Sequence, residues 1–579
     1  MTKPEVIVVD LGVARHINLL PLATGYIVSY VNSIPEITDA YDIKHHCFVD
    51  DFDQCKHEWS NPAVFAISYY VWNVKAATKF AKMAKEAFPD CKIVLGGSSV
   101  PGESTQVAKL FKALPFADIL VHGEGEESFA DILRTLSTHG DLSNVPGISF
   151  RQPDAPEGYV TPPKRSRMKN IDIIPSPYLD GSFDQIFAKY GDKITGALFE
   201  TTRGCPYTCS FCEWGRPGQS KLVKHDLDRV FAEIEWIGKK GYFYSFCADA
   251  NFGILKDRDM EIAEHMGRIS KQYGNPRYLS VSWAKNSSEH ICDIAGEFRD
   301  QGIATQTTLS VQSLNDPTLV AIKRKNIEVE DYKNLKKLLH ERNLPTHTEF
   351  ILGLPEETAD SFRQGLVKGM TPSLSDRVSV YLCQMLENTE LGTAESREEW
   401  GIETRVCKSG IHFGMIDEGR EPEIIEIVVN TNSMPVEDWK KTVVFAFASC
   451  GLYFFRLAFF VISFLRDQYA VSPDQFIQFV IDRVSTNREA YPAMAQAIGV
   501  LEGYVENVLD NGRQLVTIPN YGKMGFLAQE AFVTILLDDA DNYYDELGQL
   551  VTAFCEAQDL NLNASILNDV IRYQKSRMP

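Results

Sequence analysis

Short apolar runs alternate with stretches of helical spacing from residue 6 to residue 382, and this alternation restricts the fold more than any other feature. Residues 6–9, 64–68, 93–97 and 119–123 read as buried strands, with helices over 19–32, 74–88 and 127–136. Strands that are apolar on both faces need cover on both sides, so the pattern predicts a parallel, doubly wound (Rossmann-like) sheet. Such sheets bind ligands beyond the carboxyl ends of their strands. A second alternation has strands at 194–201, 243–248, 278–282, 307–311, 346–352 and 377–382, with a helix over 226–239. Six strands with intervening helices predict a barrel or partial barrel with its chemistry at the strands' C-terminal ends. The expected fold class is α/β.

Two segments break the alternation. Between 141 and 190 stand Pro146, Pro153, Pro156, Pro162, Pro163, Pro175 and Pro177. That density predicts an extended linker rather than a further core. After residue 400, 423–430 reads as one strand, and beyond Pro435 the chain is mostly helical with aromatic-rich faces. A chain of 579 residues is too long for a single core. The expected organisation is a doubly wound domain over 1–140, a linker over 141–190, a partial barrel over 191–395 and a mostly α C-terminal domain over 396–579. The last is placed to close the pocket and select the substrate. Within it, the apolar run 443–465 is long enough to span a bilayer. Arg456 falls in its middle, where a charge costs about 2.5–3.5 kcal/mol. A buried helix, or two helices joined near Gly451, is expected instead.

Lys and Arg number 58 against 78 Asp and Glu, a net charge of −20. That field repels nucleic-acid phosphates and anionic membranes, so neither is an expected partner. The basic segment 164–169 is short and lies in the Pro-rich stretch. Twelve cysteines in so long a chain do not make a disulfide scaffold. The N-terminus runs into a strand without a signal-peptide pattern, so the cytoplasm is the expected compartment.

Three of the cysteines sit within eight residues: Cys205, Cys209 and Cys212, at spacing C-x3-C-x2-C, directly after the strand at 194–201. Three thiolates on one loop can hold three corners of an iron–sulfur cluster and leave one iron open. An open metal position is where substrate or cofactor binds. The alternatives are a zinc site completed by His225, or plain buried cysteines. Zinc ribbons usually supply two C-x2-C pairs, and no second pair is present. Cys47, Cys55, Cys91, Cys247, Cys292, Cys383, Cys407, Cys450 and Cys555 show no second cluster spacing and read as buried fillers.

The three-cysteine loop, with Phe211 before the last cysteine, resembles the signature of the radical S-adenosylmethionine enzymes. The resemblance implies a [4Fe–4S] cluster on Cys205, Cys209 and Cys212. Its open iron would be chelated by the methionine end of S-adenosylmethionine, whose cleavage gives a 5′-deoxyadenosyl radical. The strand ends carry weaker matches in the expected order. Asp249-Ala250-Asn251-Phe252-Gly253 stands where the family more often has G-G-E. It is followed by Ser282-Trp283-Ala284-Lys285-Asn286, Ser310-Val311-Gln312-Ser313 and Gly353-Leu354-Pro355-Glu356-Glu357-Thr358, the last resembling the family's G-L-P-x-E-T turn. Asp249, Asn251, Ser310, Gln312, Gly353 and Pro355 are the implied S-adenosylmethionine contacts. Strand-end polar residues are also commonly helix caps or turn residues.

The N-terminal sheet's loops resemble the cobalamin domain of one subgroup of that family. They are 11–21, Ser68-Tyr69-Tyr70-Val71-Trp72-Asn73, Gly96-Gly97-Ser98-Ser99 and Gly123-Glu124-Gly125-Glu126. The implied cobalamin contacts are Ser68, Tyr70, Trp72, Gly96, Gly97, Gly123 and Glu124, with the paired glycines admitting a large ring to the backbone. The D-x-H-x-x-G pattern whose histidine ligates cobalt is absent, which implies cobalt without a histidine ligand.

The resemblance as a whole implies a cobalamin-dependent radical S-adenosylmethionine enzyme. Its expected reaction is methylation of an unactivated carbon in a natural-product or peptide-type substrate, through methylcobalamin and the 5′-deoxyadenosyl radical. A flavodoxin or ferredoxin is the expected electron donor. The alternatives are a cobalamin-dependent cyclase or rearrangement enzyme, a methylthio transferase and a non-catalytic sensor.

Overall fold

The structure, a computed structural model, describes residues 3–11, 18–47, 52–215, 220–285, 289–370, 376–409, 414–415 and 422–578. The first four expected strands form as β1 (Glu5–Asp10), β3 (Pro62–Ser68), β4 (Lys92–Gly96) and β5 (Ile119–Val121), joined by β2 (Asp42–Cys47). These five pair in parallel in the order β2-β1-β3-β4-β5. Alternate side chains serve opposite faces. Val6, Val8, Val64 and Val94 pack with Val28, Val31, Phe129 and Leu133 of helices Leu22–Asn32 and Glu126–Ser137. Ile7, Val9, Phe65 and Ile93 pack with Phe80 and Phe111 of helices Val74–Ala87 and Ser104–Ala113. Connection direction reverses between β1 and β3, so the ligand crevice of this topology opens at Asp10 and Ser68.

The sequence analysis does not anticipate β2, which reads Asp-Ile-Lys-His-His-Cys. It is an edge strand with one neighbour. Its buried histidines are kept by specific partners: His45 Nε2 lies 3.0 Å from Thr24 Oγ1, and His46 Nε2 accepts from Trp59 Nε1 at 3.0 Å. The sheet also extends past residue 140. Strand β6 (Ile148–Arg151) adds antiparallel to β5 and β7 (Tyr159–Val160) antiparallel to β6, so the start of the expected 141–190 linker belongs to this layer. Pro153 and Pro156 lie in the turn between them, where a missing N–H breaks no ladder bond.

The second alternation gives β8 (Gly196–Phe199), a hairpin of β9 (Thr202–Arg203) and β10 (Val223–Lys224), then β11 (Tyr244–Cys247) and β12 (Tyr278–Ser280). It continues with β13 (Ala304–Thr305), β14 (Thr307–Thr308), β15 (Thr346–Leu352) and β16 (Arg377–Leu382). The parallel orders are β13-β12-β11-β8 and β14-β15-β16. The strand expected at 307–311 instead runs from 304 to 308, broken at Gln306, whose carbonyl accepts from Trp283 Nε1 at 2.8 Å. The result is an open, six-stranded partial barrel.

Beyond it, β17 (Gln384–Met385), β18 (Glu403–Lys408) and β20 (Ile424–Asn430) form a sheet in the order β17-β20-β18. A smaller one joins β19 (Gly414–Met415), β21 (Val516–Thr517) and β22 (Met524–Phe526). Helices fill the remainder, and one apolar core runs continuously from the barrel into them. The apolar run forms helix Val436–Ser449, a wider turn at Cys450–Phe454, and helix Phe459–Tyr469 after a 91° bend. The break lies at Arg456 (φ 65°), not at Gly451. Gly451 serves packing instead, since a Cβ there would lie 2.5 Å from Phe532 Cδ1. Among the described residues no single helix is long and apolar enough to cross a membrane.

Glu423, 3% exposed, ties the C-terminal part to the first sheet. Its carboxylate accepts from the backbone N–H of Lys75 at 2.8 Å and Ala76 at 2.9 Å, in the first turn of helix Val74–Ala87. An acid there also faces the positive end of the helix dipole. Glu423→Ala is expected to lower stability by about 1–3 kcal/mol, the usual cost of orphaning donors bonded to a buried charge. The check is urea unfolding; an unchanged midpoint would remove this contact from the fold's supports.

Candidate functional site

The cysteine loop is held from both ends. Asp249, 2% exposed at the end of β11, accepts from Thr201 N–H at 2.7 Å, Thr201 Oγ1 at 2.5 Å and Thr202 Oγ1 at 2.8 Å. Both its oxygens are taken by the chain entering the loop. Asp249 therefore positions the loop. On the far side Ser210 N–H donates to Ile322 O at 3.0 Å, and Leu391 N–H to Ser210 O at 2.9 Å. Phe211 packs against the apolar cluster of Leu354, Cys383 and Val428. Gly204 (φ 112°) leaves no room for a Cβ, which would fall 2.6 Å from Lys221 O and 2.8 Å from Arg167 Nη2.

The three sulfurs face nitrogen donors. Asn251 Nδ2 donates to Cys205 Sγ at 3.1 Å, and Lys285 Nζ to Cys209 Sγ at 3.0 Å. The buried Arg324 guanidinium has Cys209, Cys212 and Glu349 among its electrostatic neighbours. Burial pushes the Cys212 thiol up, and Lys285 acts against that. The other cysteines are buried, and burial above all lifts Cys292 to about 11 and Cys383 to about 12, as inert fillers require. His225 is bound elsewhere: Nδ1 is 2.9 Å from Asp172 and Nε2 3.7 Å from Glu200. Among the described residues no three His, Cys, Asp or Glu side chains gather closely enough to hold one metal ion. Zinc with His225 thus finds no support, because that ring is engaged by Asp172 and Glu200, whereas three thiols on one loop with N–H donors suit an iron–sulfur cluster.

Buried polar atoms near the loop that lack an oxygen or nitrogen partner include Asn251 Oδ1, Gln312 Oε1 and Arg324 Nη1. Two acceptors and a cationic donor match the ammonium and carboxylate of an amino acid, so these residues fit the methionine end of S-adenosylmethionine. Gln312 is held at φ 63° by the bonds Gln312 N–H to Glu349 O, 2.8 Å, and Ile351 N–H to Gln312 O, 2.9 Å. Ser310 Oγ donates to Glu349 Oε2 at 2.5 Å. The sequence analysis singles out neither Glu349 nor Arg324, because a lone acid inside a strand and a lone base in a loop carry no local signal. Gly353 (φ 101°) and the buried Pro355 turn the chain after β15. Glu357, whose carboxyl burial pushes up, accepts from Ser313 and Ser361 and ties that turn to the neighbouring strand end. Of the motif 282–286, Trp283 packs on Phe252, Lys285 reaches Cys209, and Asn286 lies outside the described residues.

The expected cobalamin loops face this loop. Of 11–21, residues 12–17 lie outside the described residues. Ser68 Oγ accepts from Asn73 Nδ2 at 3.1 Å, and Asn73 Oδ1 from Tyr70 N–H at 2.8 Å, which folds 68–73 into a tight turn. Tyr70 stacks on Trp72 with ring centres 4.7 Å apart. Burial, then Asp10 and Glu126, push the Tyr70 hydroxyl up, while Arg203 opposes them. Asp10, at the end of β1, is raised to about 6 by burial against hydrogen bonds from Ser68 and Thr24. Gly97 (φ 136°) is required by the sheet itself, because a Cβ would lie 2.5 Å from Tyr69 O. At Gly96 it would meet Val121 Cβ at an ordinary 3.6 Å. Gly123 (φ 71°) opens onto free space, with nothing within 4 Å of its missing Cβ, and is the glycine with room for a ligand.

Arg203, two residues before Cys205, joins the two sets. It lies 3.1 Å from Glu126, 3.0 Å from Glu200 and 3.7 Å from Glu124. Burial would pull this guanidinium down, but Glu200 and Glu126 hold it well above its usual value, and Glu200 falls to about 2. Glu124 also meets Arg167 Nε at 3.3 Å and accepts from Met168 N–H at 3.0 Å. The turn after β17 closes a third side: Asn388 Nδ2 donates to Val100 O at 3.0 Å, three residues before Leu391, which bonds to Ser210 of the cysteine loop.

The profile of the Radical SAM superfamily matches residues 199–365. A protein of Streptomyces tokunonensis named cobalamin-dependent radical SAM methyltransferase TokK is 36% identical over 468 residues, 80% of this chain and 67% of that protein. The 2-(S-pantetheinyl)-carbapenam-3-carboxylate methyltransferase of Streptantibioticus cattleyicolor is 36% identical over 425 residues, 72% of this chain but only 61% of that protein. The fold is shared with the methyltransferase TsrM from Kitasatospora setae, solved with cobalamin and a [4Fe–4S] cluster (TM-score 0.56, 16% identity, 77% of this chain, 89% of that one). It is equally close to OxsB solved with aqua-cobalamin and S-adenosylmethionine (TM-score 0.56, 14% identity, 100% and 84%).

Two outcomes are expected. Anaerobically reconstituted protein should hold about four irons per chain, and a Cys205/Cys209/Cys212→Ala variant almost none; iron retained in the variant would refute the assignment. Gly123→Trp, at a backbone cost of roughly 1–2 kcal/mol, should weaken hydroxocobalamin binding at least tenfold with iron content unchanged. Unaltered affinity in a spectroscopic titration would remove this loop from the cobalamin site.

Proposed function

The chain belongs to the cobalamin-dependent radical S-adenosylmethionine enzymes, and we propose that it transfers a methyl group to an unactivated carbon of a small natural product. The observation that carries this reading is the meeting of the two expected cofactor surfaces at Arg203. A methyl donor held by one sheet and a radical source held by the other must both reach the same substrate carbon. Both more similar relatives bear methyltransferase names, which favours methyl transfer over cyclisation or rearrangement.

When bound, the cluster with S-adenosylmethionine supplies the radical that removes hydrogen, and cobalamin supplies the methyl group. Cys205, Cys209 and Cys212 would hold the cluster. Asn251, Gln312 and Arg324 would orient the amino-acid end of S-adenosylmethionine, and Asp249 and Arg203 hold the loop in place. Tyr70, Trp72 and Gly123 would line the cobalamin side. Trp72 is 39% exposed and Trp214, two residues past Cys212, is 42% exposed, so both have apolar surface left for cofactor or substrate to cover. An external one-electron donor of the flavodoxin or ferredoxin class would reduce the cluster. The first substrate to try is 2-(S-pantetheinyl)-carbapenam-3-carboxylate, because it names one of the relatives.

Methyl transfer to an sp3 carbon should consume two S-adenosylmethionines per turnover. One should give S-adenosylhomocysteine and the other 5′-deoxyadenosine. With methyl-labelled S-adenosylmethionine, removing the three cysteines should stop 5′-deoxyadenosine formation, and withholding cobalamin should stop labelling of the product. 5′-Deoxyadenosine with an unlabelled, rearranged product would instead establish the cyclase reading.

A further inference from the structure

The loop's donors are unequal in charge. Cys205 receives a neutral amide, from Asn251 Nδ2 at 3.1 Å. Cys209 receives an ammonium, from Lys285 Nζ at 3.0 Å. Lys285 is kept over the loop by Tyr207, which lies between the first two cysteines, with Nζ 5.2 Å from the ring centre. A cation over an aromatic face is attracted by the ring's quadrupole, so Tyr207 and Cys209 hold Lys285 from two sides. Among the described residues no carboxylate forms an ion pair with Lys285, although the chain carries a net charge of −20. Lys285 follows the Phe252–Trp283 bridge, where Phe252 N–H donates to Ser282 O at 2.8 Å and Ala284 N–H to Phe252 O at 2.9 Å, so its backbone is fixed.

We propose that Lys285 is a positioning residue that sets the reduction potential of the cluster, by a charge-assisted N–H···S bond to Cys209 steadied by Tyr207. A [4Fe–4S] cluster on three thiolates carries a net charge of −1 when oxidised and −2 after one electron enters. A fixed positive charge beside one sulfur stabilises the more negative state, so it raises the potential. Hydrogen bonds to the sulfurs and local charge are the levers by which proteins tune such clusters. The electron comes from the external one-electron donor, no proton moves, and no bond is made or broken. Asn251 is the internal control, since its neutral donor bonds Cys205 without adding charge.

The inference rests on the cluster assigned above, and iron content and the reduced-state electron paramagnetic resonance signal of the wild type test that assignment separately. The experiment is a redox titration of that signal in reconstituted protein, with dithionite as reductant and mediators present, without substrate or cobalamin. Lys285→Met should lower the ratio of reduced to oxidised cluster at fixed ambient potential at least tenfold, a midpoint shift of about −59 mV for one electron. Lys285→Arg, which keeps the charge, should stay within threefold of wild type. Tyr207→Leu should shift in the same direction as Lys285→Met, by less. An unchanged midpoint in a Lys285→Met protein that still holds its irons would overturn the proposal. So would loss of the cluster from both Lys285 variants, which would make Lys285 a support of the loop rather than a tuner of its potential.

Discussion

A largely buried positive charge, Arg203, stands where the two sheets meet. The N-terminal sheet brings Glu124 and Glu126 to it, and the barrel brings Glu200. None of these groups is tolerable alone in so dry a setting. Breaking a buried ionic network by removing one partner costs roughly 3–5 kcal/mol, because the charges left behind stay uncompensated. The network therefore does more to specify the docking of two layers than to stabilise either. Arg203 is also the residue from which the cysteine loop departs, so the register of that loop against the N-terminal sheet follows from the same contact. Arg167 extends the arrangement, donating to Arg203 O at 2.8 Å while it meets Glu124.

The parts of the fold legible in the sequence were those coded locally. Four parallel strands of the first sheet announce themselves as apolar runs because both their faces are covered. Strand β2 does not, since an edge strand tolerates Asp42, Lys44 and two histidines whose burial is arranged by Thr24 and Trp59, both distant in sequence. Strands β6 and β7 hide among prolines because two-residue and four-residue antiparallel strands need only a few open N–H groups. The fourth barrel strand is displaced toward the N-terminus, with Gln306 spent on the Trp283 indole.

In the site, legibility followed the same rule. The spacing of Cys205, Cys209 and Cys212 is local, and the loop forms around them. Roles that depend on a distant partner were not readable. Asp249 is a strand-end acid like many cofactor ligands, yet Thr201 and Thr202 occupy it. Gly96-Gly97 resembles a ligand loop, yet Tyr69 accounts for Gly97. Arg324, Glu349 and Asn388 have no motif around them and acquire meaning only when the strand ends are brought together.

That convergence constrains the substrate's place. Parallel sheets offer ligands only the carboxyl ends of their strands. Here those ends face one another across Arg203, so a substrate serving both cofactors has to enter from the rim. One part of the rim is the 386–391 turn, fastened to Val100 on one sheet and Ser210 on the other. Another is Glu423, fastened to the helix after β3. Both belong to the chain beyond the barrel's last strand, where the sequence has no chemical motif. Radical chemistry requires that water be kept from the reacting centre, and the part of a protein that excludes water also contacts the substrate's periphery. Substrate choice is therefore expected to reside in shape and packing of the segment after Leu382, and not in another short run of reactive side chains.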